Sequence, residues 1–155
     1  MTDAERFDEP GFDLQTSRSF GYLLRDTSRL LLRALQVNIE KHGITLGQYF
    51  VLRELWEADG LTLGEIGTRV GTLAPSTNAV VDALEKRGLA VRKRGEQDRR
   101  NVHVHLTATG RSLRSELLRY AADVNRRALR GLPPEQVELI RELLQRVKSN
   151  LVDDA

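Results

Sequence analysis

The 155-residue sequence contains no cysteine, and aromatic side chains make up only 5% of it. Without thiols the chain forms no disulfide, offers no thiolate to a metal and cannot sense oxidants through cysteine. It also lacks an apolar run near the roughly 20 residues that a membrane-spanning helix requires. No basic segment followed by an apolar stretch marks a secretory leader. We therefore expect a cytoplasmic protein without membrane contact.

Groups that could perform catalysis or bind a metal are also sparse. An enzyme needs a nucleophile, a base and a third group that orients them. Hydroxyl and carboxylate side chains do share one predicted helix, but without a nearby histidine: Ser76, Thr77, Asp82 and Glu85. His103 and His105 could face the same way on a strand, but two imidazoles alone make a poor metal site. We predict no enzyme activity, no metal and no cofactor.

Positive charge is concentrated in one segment. Residues 86–114 hold nine cations and two acids, whereas the whole chain has a net charge of only +2. Clustered cations are typical of nucleic-acid binding, although a solvated arginine-rich surface would look similar. Residues 1–18 are instead acidic. They form either a loosely ordered arm or a segment that docks on a partner subunit through Phe7, Phe12 and Leu14.

The basic segment has the pattern of a β-hairpin. Val102, Val104 and Leu106 alternate with polar residues, as in a half-buried strand. Residues 89–94 supply the partner strand, and residues 95–98 have the composition of a turn. Such a hairpin would present cations at its tip.

A helix-turn-helix pattern precedes the hairpin. Thr62 and Glu65 form a capping box that starts a short helix, which ends near Gly71. Thr72 can cap the next helix, with Pro75 in its first turn. We expect this second helix to end near Arg87. Its predicted inward face is Leu73, Val80, Val81 and Leu84, and its predicted polar face is Ser76, Thr77, Asn78, Asp82 and Lys86.

These segments resemble the MarR family of bacterial winged-helix regulators. The resemblance rests on residues 61–67, 76–77, 81–89, 98–100 and 106–110, in which Asp98-Arg99-Arg100 is the most specific run. It implies a mainly α fold with a small β-hairpin wing, and a homodimer on a pseudo-palindromic operator, most often a repressor. Many members have Thr-Arg where this chain has Asn78-Ala79. Base reading should therefore fall on Ser76, Thr77 and Asn78.

The resemblance places the winged helix-turn-helix at residues 45–110 and dimerisation helices at 19–44 and 111–155. We expect Ser76, Thr77 and Asn78 to enter the major groove, where the first residues of such a helix contact base edges. Asp98 should orient Arg100. The candidate cations for the phosphates and for the wing contact are Lys86, Arg87, Arg92, Arg94, Arg99 and Arg100.

The resemblance also implies a small phenolic or aromatic carboxylate effector between the dimerisation helices and the winged helix. An anion favours arginine and a ring favours an aromatic wall. The candidate pocket residues are Arg25, Arg29, Tyr49, Arg53 and Trp56; each could equally be an interface or core residue. Two other functions remain open, a winged helix that binds an acidic protein and an architectural DNA binder without sequence preference.

Overall fold

The computed structural model describes residues 17–94 and 101–153. Helix α1 (Phe20–Ile39) continues into a 3-10 turn (Glu40–His42) that Gly43 ends with φ 66°. Helix α2 spans Leu46–Glu57. Thr45 and Gln48 form a capping box at its start, in which each side chain accepts a backbone N–H of the other residue.

The next elements form the helix-turn-helix and the sheet. Strand β1 (Leu61–Thr62) leads into α3 (Leu63–Val70), and α4 follows over Ala74–Lys86. Strands β2 (Ala90–Arg94) and β3 (Val102–Leu106) form the predicted hairpin. The sheet order is β1-β3-β2, and both pairs are antiparallel, with Leu61 opposite Val104 and Arg92 opposite Val104.

The chain ends in three helices: α5 (Ala108–Ser112), α6 (Arg114–Ala128) and α7 (Pro134–Asp153). Leu113 separates α5 from α6, although its φ of -71° and ψ of -16° stay in the right-handed helical region. Within the described ranges, no helix has both the length and the apolar composition of a membrane span.

The core joins the helix-turn-helix and the sheet to α1, α2 and α6. Ile66 of α3, Leu84 of α4 and Val104 of β3 are all fully buried, together with Leu52 of α2. Helix α7 contrasts with this core, since none of the residues whose burial is described in it is buried. Three of its apolar side chains, Leu139, Leu143 and Leu144, are 44–51% exposed.

Three sequence-based details of the helix-turn-helix need correction. Strand β1 was not predicted, because two residues are too few for a periodic signal. Thr72 does not cap α4. Leu73 occupies the N-cap without a side-chain hydrogen bond, and the Thr72 hydroxyl lies 2.9 Å from that of Thr77. Leu73 does not face inward either, since it is 80% exposed.

Candidate nucleic-acid interface

The first turns of α4 place small polar groups at the surface. Thr62 and Glu65 cap α3, and their hydrogen bonds, chiefly that from the Thr62 amide, hold the pKa of Glu65 below its usual value. Gly71 then turns the chain with φ 68°. Ser76 and Asn78, both predicted to contact bases, are exposed one turn into α4. This is the part of a second helix that can reach base edges.

Thr77 differs from its two neighbours, which corrects the prediction that it contacts DNA. The residue is 1% exposed, and its hydroxyl donates to the Leu73 carbonyl at 3.2 Å. It also packs against Gly67, where an added Cβ would lie 3.1 Å from the Thr77 hydroxyl. Thr77 therefore holds the turn between α3 and α4 together. Sequence spacing did not reveal this, because a hydroxyl suits both an exposed and a buried helical position.

Two of the predicted phosphate-binding arginines have protein partners. Arg87 donates to the backbone carbonyls of His42, at 2.7 Å, and Gly43. It thus ties the end of α4 to the turn that follows α1. Arg92 is only 22% exposed in its side chain and pairs with Asp82, at 2.7 Å, and Glu85. These guanidinium groups are engaged within the protein, which argues against the predicted phosphate contacts.

The other predicted cations are distributed between the described and undescribed parts of the hairpin. Lys86 and Arg94 are exposed at the end of α4 and the end of β2, respectively. Asp98, Arg99 and Arg100 lie outside the described residues, so their assignment still rests on the sequence. Leu73 is a further candidate for DNA contact, although the sequence pattern placed it on the inward face of α4. Its exposed side chain stands at the start of α4, where an apolar group can meet a thymine methyl.

The two strand histidines hold the hairpin to the rest of the sheet. His103 Nδ1 lies 2.8 Å from the Gly60 carbonyl, and His105 Nδ1 lies 3.8 Å from Asp59. Asp59 also accepts from the Leu106 amide and from Arg111 Nη2 at 2.6 Å. Partial burial acts to raise the pKa of Asp59, but these bonds and charges outweigh it and lower the pKa. No group of three or more metal-binding side chains occurs within the described residues.

The predicted effector residues do not form one pocket. Tyr49 and Arg53 line a cavity of about 220 Å³, and Arg53 Nη1 lies 3.4 Å from the Tyr49 hydroxyl. Arg25 and Arg29 line a separate groove along α1 and are near Asp26, at 3.1 and 3.9 Å. Trp56 lines neither this cavity nor this groove, and its Nε1 donates to the Gly110 carbonyl at 3.0 Å.

The remaining walls of the cavity come from α1, α2 and α6 and are mostly apolar. Sequence reasoning missed them because a helical apolar stripe does not reveal which of its members border a void. They are Leu31, Leu32, Leu35, Phe50, Ala121, Val124 and Asn125.

A short helix, a turn, a second helix with an exposed polar start and a basic antiparallel hairpin define a winged helix-turn-helix protein. Comparison with known proteins supports this assignment to the winged helix-turn-helix class. The sequence model of the MarR family matches residues 44–102. The organic hydroperoxide resistance transcriptional regulator of Bacillus subtilis is 32% identical over 126 residues, which cover 79% of this chain and 80% of the relative. The chain belongs to the MarR family of transcriptional regulators.

Solved structures of winged-helix regulators superpose on most of the chain. The repressor CouR bound to a 23-mer DNA duplex has a TM-score of 0.79 and 28% identity, covering 87% of this chain and 96% of CouR. CouR from Rhodococcus jostii bound to p-coumaroyl-CoA has a TM-score of 0.78, 29% identity and coverages of 87% and 95%. Bordetella bronchiseptica BpsR, whose DNA binding is regulated by 6-hydroxynicotinic acid, has a TM-score of 0.77, 26% identity and coverages of 85% and 94%.

Proposed function

We propose that this regulator is a homodimeric, sequence-specific repressor that binds a pseudo-palindromic DNA operator. One observation carries the proposal: α4, whose polar start exposes Ser76 and Asn78, packs against β2, whose end exposes Lys93 and Arg94. Helix α4 enters the major groove, and the hairpin reaches the adjacent backbone or minor groove. The protein acts in the cytoplasm, where the chromosome is, and we assign it no catalytic role.

The proposed contacts follow from exposure. Ser76 and Asn78 read bases, and Leu73 meets a thymine methyl. Lys86 and Arg94 bind phosphates. The sequence adds the undescribed Arg99 and Arg100 at the wing, with Asp98 orienting Arg100.

Exposed apolar surface supports the dimer. Helix α1 exposes Phe20, Leu23 and Leu30 at 47–58%, and α7 exposes the apolar face described above. Apolar stripes of this length on two helices need a partner, and a second copy supplies identical stripes. In such a dimer two α4 helices can stand one DNA turn apart, roughly 34 Å.

Selection of bound duplexes from a random pool, with the full-length protein, tests this function. We expect a two-fold symmetric site, with affinity that falls steeply as salt rises because phosphate contacts release counterions. Equal affinity for selected and random duplexes would contradict sequence-specific regulation and favour an architectural role. Binding to an acidic protein without measurable binding to DNA would contradict both DNA-binding functions.

We further propose that the α1–α2–α6 cavity binds a small aromatic carboxylate that controls DNA affinity. A cavity of about 220 Å³ suits one ring, since a dry cavity of roughly 150 Å³ can hold benzene. Arg53 supplies the positive charge for a carboxylate, while Leu31, Leu35 and Phe50 surround the ring. BpsR, which responds to a single-ring acid, gives a precedent.

Titration of the operator complex with single-ring aromatic acids tests the effector proposal. We expect at least one acid to release the DNA and to raise the melting temperature of the free protein. Arg53→Met should lose the response while operator affinity without the acid is kept. A response that survives Arg53→Met unchanged would place the acid elsewhere.

A further inference from the structure

The wing strand holds a side chain of the recognition helix α4 in place. Arg92 of β2 donates from Nη2 to Oδ1 of Asn78 at 2.9 Å. The Nδ2 group of Asn78 lies 3.4 Å from Asp82, one turn further along α4. The Asn78 amide is therefore oriented from both sides before any DNA arrives.

Arg92 is itself anchored by carboxylates of the same helix. Its Nη1 contacts Asp82 at 2.7 Å and also Glu85. The other oxygen of Glu85 accepts the backbone N–H of Arg92 at 2.6 Å. A planar guanidinium with several fixed donors can bridge these three side chains together, which a lysine ammonium cannot do in the same geometry.

We propose that Arg92 is a positioning residue for base recognition, acting through Asn78 and not through phosphate. The inference rests on the proposed DNA-binding function. Besides its contact with Arg92, Asn78 Oδ1 keeps a second lone pair, and besides its contact with Asp82, Nδ2 keeps a second N–H. An asparagine that pairs with adenine accepts from N6 through such a lone pair and donates to N7 through such an N–H. Arg92 fixes which edge of the amide faces the groove, and it neutralises acids that would repel DNA.

Charge-conserving substitution separates positioning from phosphate binding. Arg92→Lys keeps the cation but loses the bridge, so the preference for adenine over other bases at one position in each half-site should fall roughly tenfold. The dependence of affinity on salt should stay the same, because the number of phosphate contacts is unchanged. Lys93→Arg is the matched control, since it also conserves charge but lies on the opposite face of β2. It should keep the wild-type preference.

A double-mutant cycle with Asn78→Ala shows whether the two residues act as one unit. Asn78→Ala alone should remove the same preference at the same position. Arg92→Lys should add no more than about twofold on top of it, since coupled residues are not additive. Thermal melting of each variant separates loss of fold from loss of reading. If Arg92→Lys unfolds, Asp82→Asn replaces it, because this substitution weakens the contact on the other side of the Asn78 amide. The preference for adenine should fall in this variant too.

These experiments distinguish failure of the positioning role of Arg92 from failure of the proposed DNA-binding function. Wild-type base preference in folded Arg92→Lys, or an additive cycle, would overturn the positioning role while leaving DNA recognition intact. A smaller salt dependence in Arg92→Lys than in the wild type would also overturn it by indicating a lost phosphate contact. Absence of any base preference in the unaltered protein would overturn the proposed function, and the inference with it.

Discussion

Single residues of the helix-turn-helix show how similar side chains can have opposite roles. Ser76 and Thr77 are adjacent hydroxyl residues, yet Ser76 is exposed, whereas Thr77 is buried and its hydroxyl contacts the Thr72 hydroxyl and the Leu73 carbonyl. Their sequence pattern predicted the same groove contact for both. The difference is set by the close approach of α3 at Gly67, which no periodicity within α4 reports.

Thr77→Val tests the structural role of the buried hydroxyl. We expect a loss of about 1 kcal/mol in the free energy of unfolding, because the Thr72 hydroxyl loses its Thr77 partner in a half-buried site. Denaturant titration measures it, with Ser76→Ala as the exposed control that changes stability little. A shift in base preference at an unchanged free energy of unfolding would instead indicate that Thr77 contacts bases in the major groove.

Asp59→Asn tests the carboxylate at the base of the hairpin. The folded-state pKa lies below the ordinary 3.8, so its charge stabilises the fold above that pH, and the contribution is lost as pH falls through the folded value. At neutral pH we expect a cost of roughly 1 kcal/mol, discounted for partial exposure. Melting curves of both proteins should converge as the pH drops below about 4. A constant difference down to pH 2 would contradict the ionic origin.

At the scale of elements, the sequence was most informative where a local signal suffices. The Thr62–Glu65 capping box, the helix end at Gly71 and the alternation of β3 depend on neighbours in the chain, and the structure confirms them. Tertiary partners were not predictable in this way. Arg87, Arg92 and Trp56 all find their partners in another element, which argues against their predicted contacts with phosphate or effector.

Packing between α5 and the start of β2 should tolerate no side chain at Gly110. An added Cβ would meet the Leu89 carbonyl oxygen and lie 3.2 Å from Leu106 Cδ2. We expect Gly110→Ala to cost at least about 2 kcal/mol in the free energy of unfolding, since backbone must move. Gly64→Ala is the matched control, since its Cβ would meet nothing within 4 Å. Because alanine has the higher helix propensity, Gly64→Ala should raise the free energy of unfolding by up to about 1 kcal/mol. Equal effects in both variants would contradict this packing.

At the scale of the whole molecule, the winged region has its own buried core, but α7 has none. A charge on its apolar face should therefore separate the two subunits. We expect Leu143→Asp to yield monomers by sedimentation velocity and to weaken operator binding by at least about tenfold, because a monomer contacts only one half-site. Ser149→Asp, with the same charge on the opposite face of α7, should remain dimeric. A dimeric, tightly binding Leu143→Asp would assign the interface to other helices.

Helix α7 also has a consequence for how the protein matures. A helix of 20 residues without packing support is only marginally stable in water. In a newly made chain, α7 would therefore become fully helical only when a second subunit packs against it. The abundance of the regulator in the cell would then set how much of it is fully ordered, and scarce copies would be the first exposed to proteases.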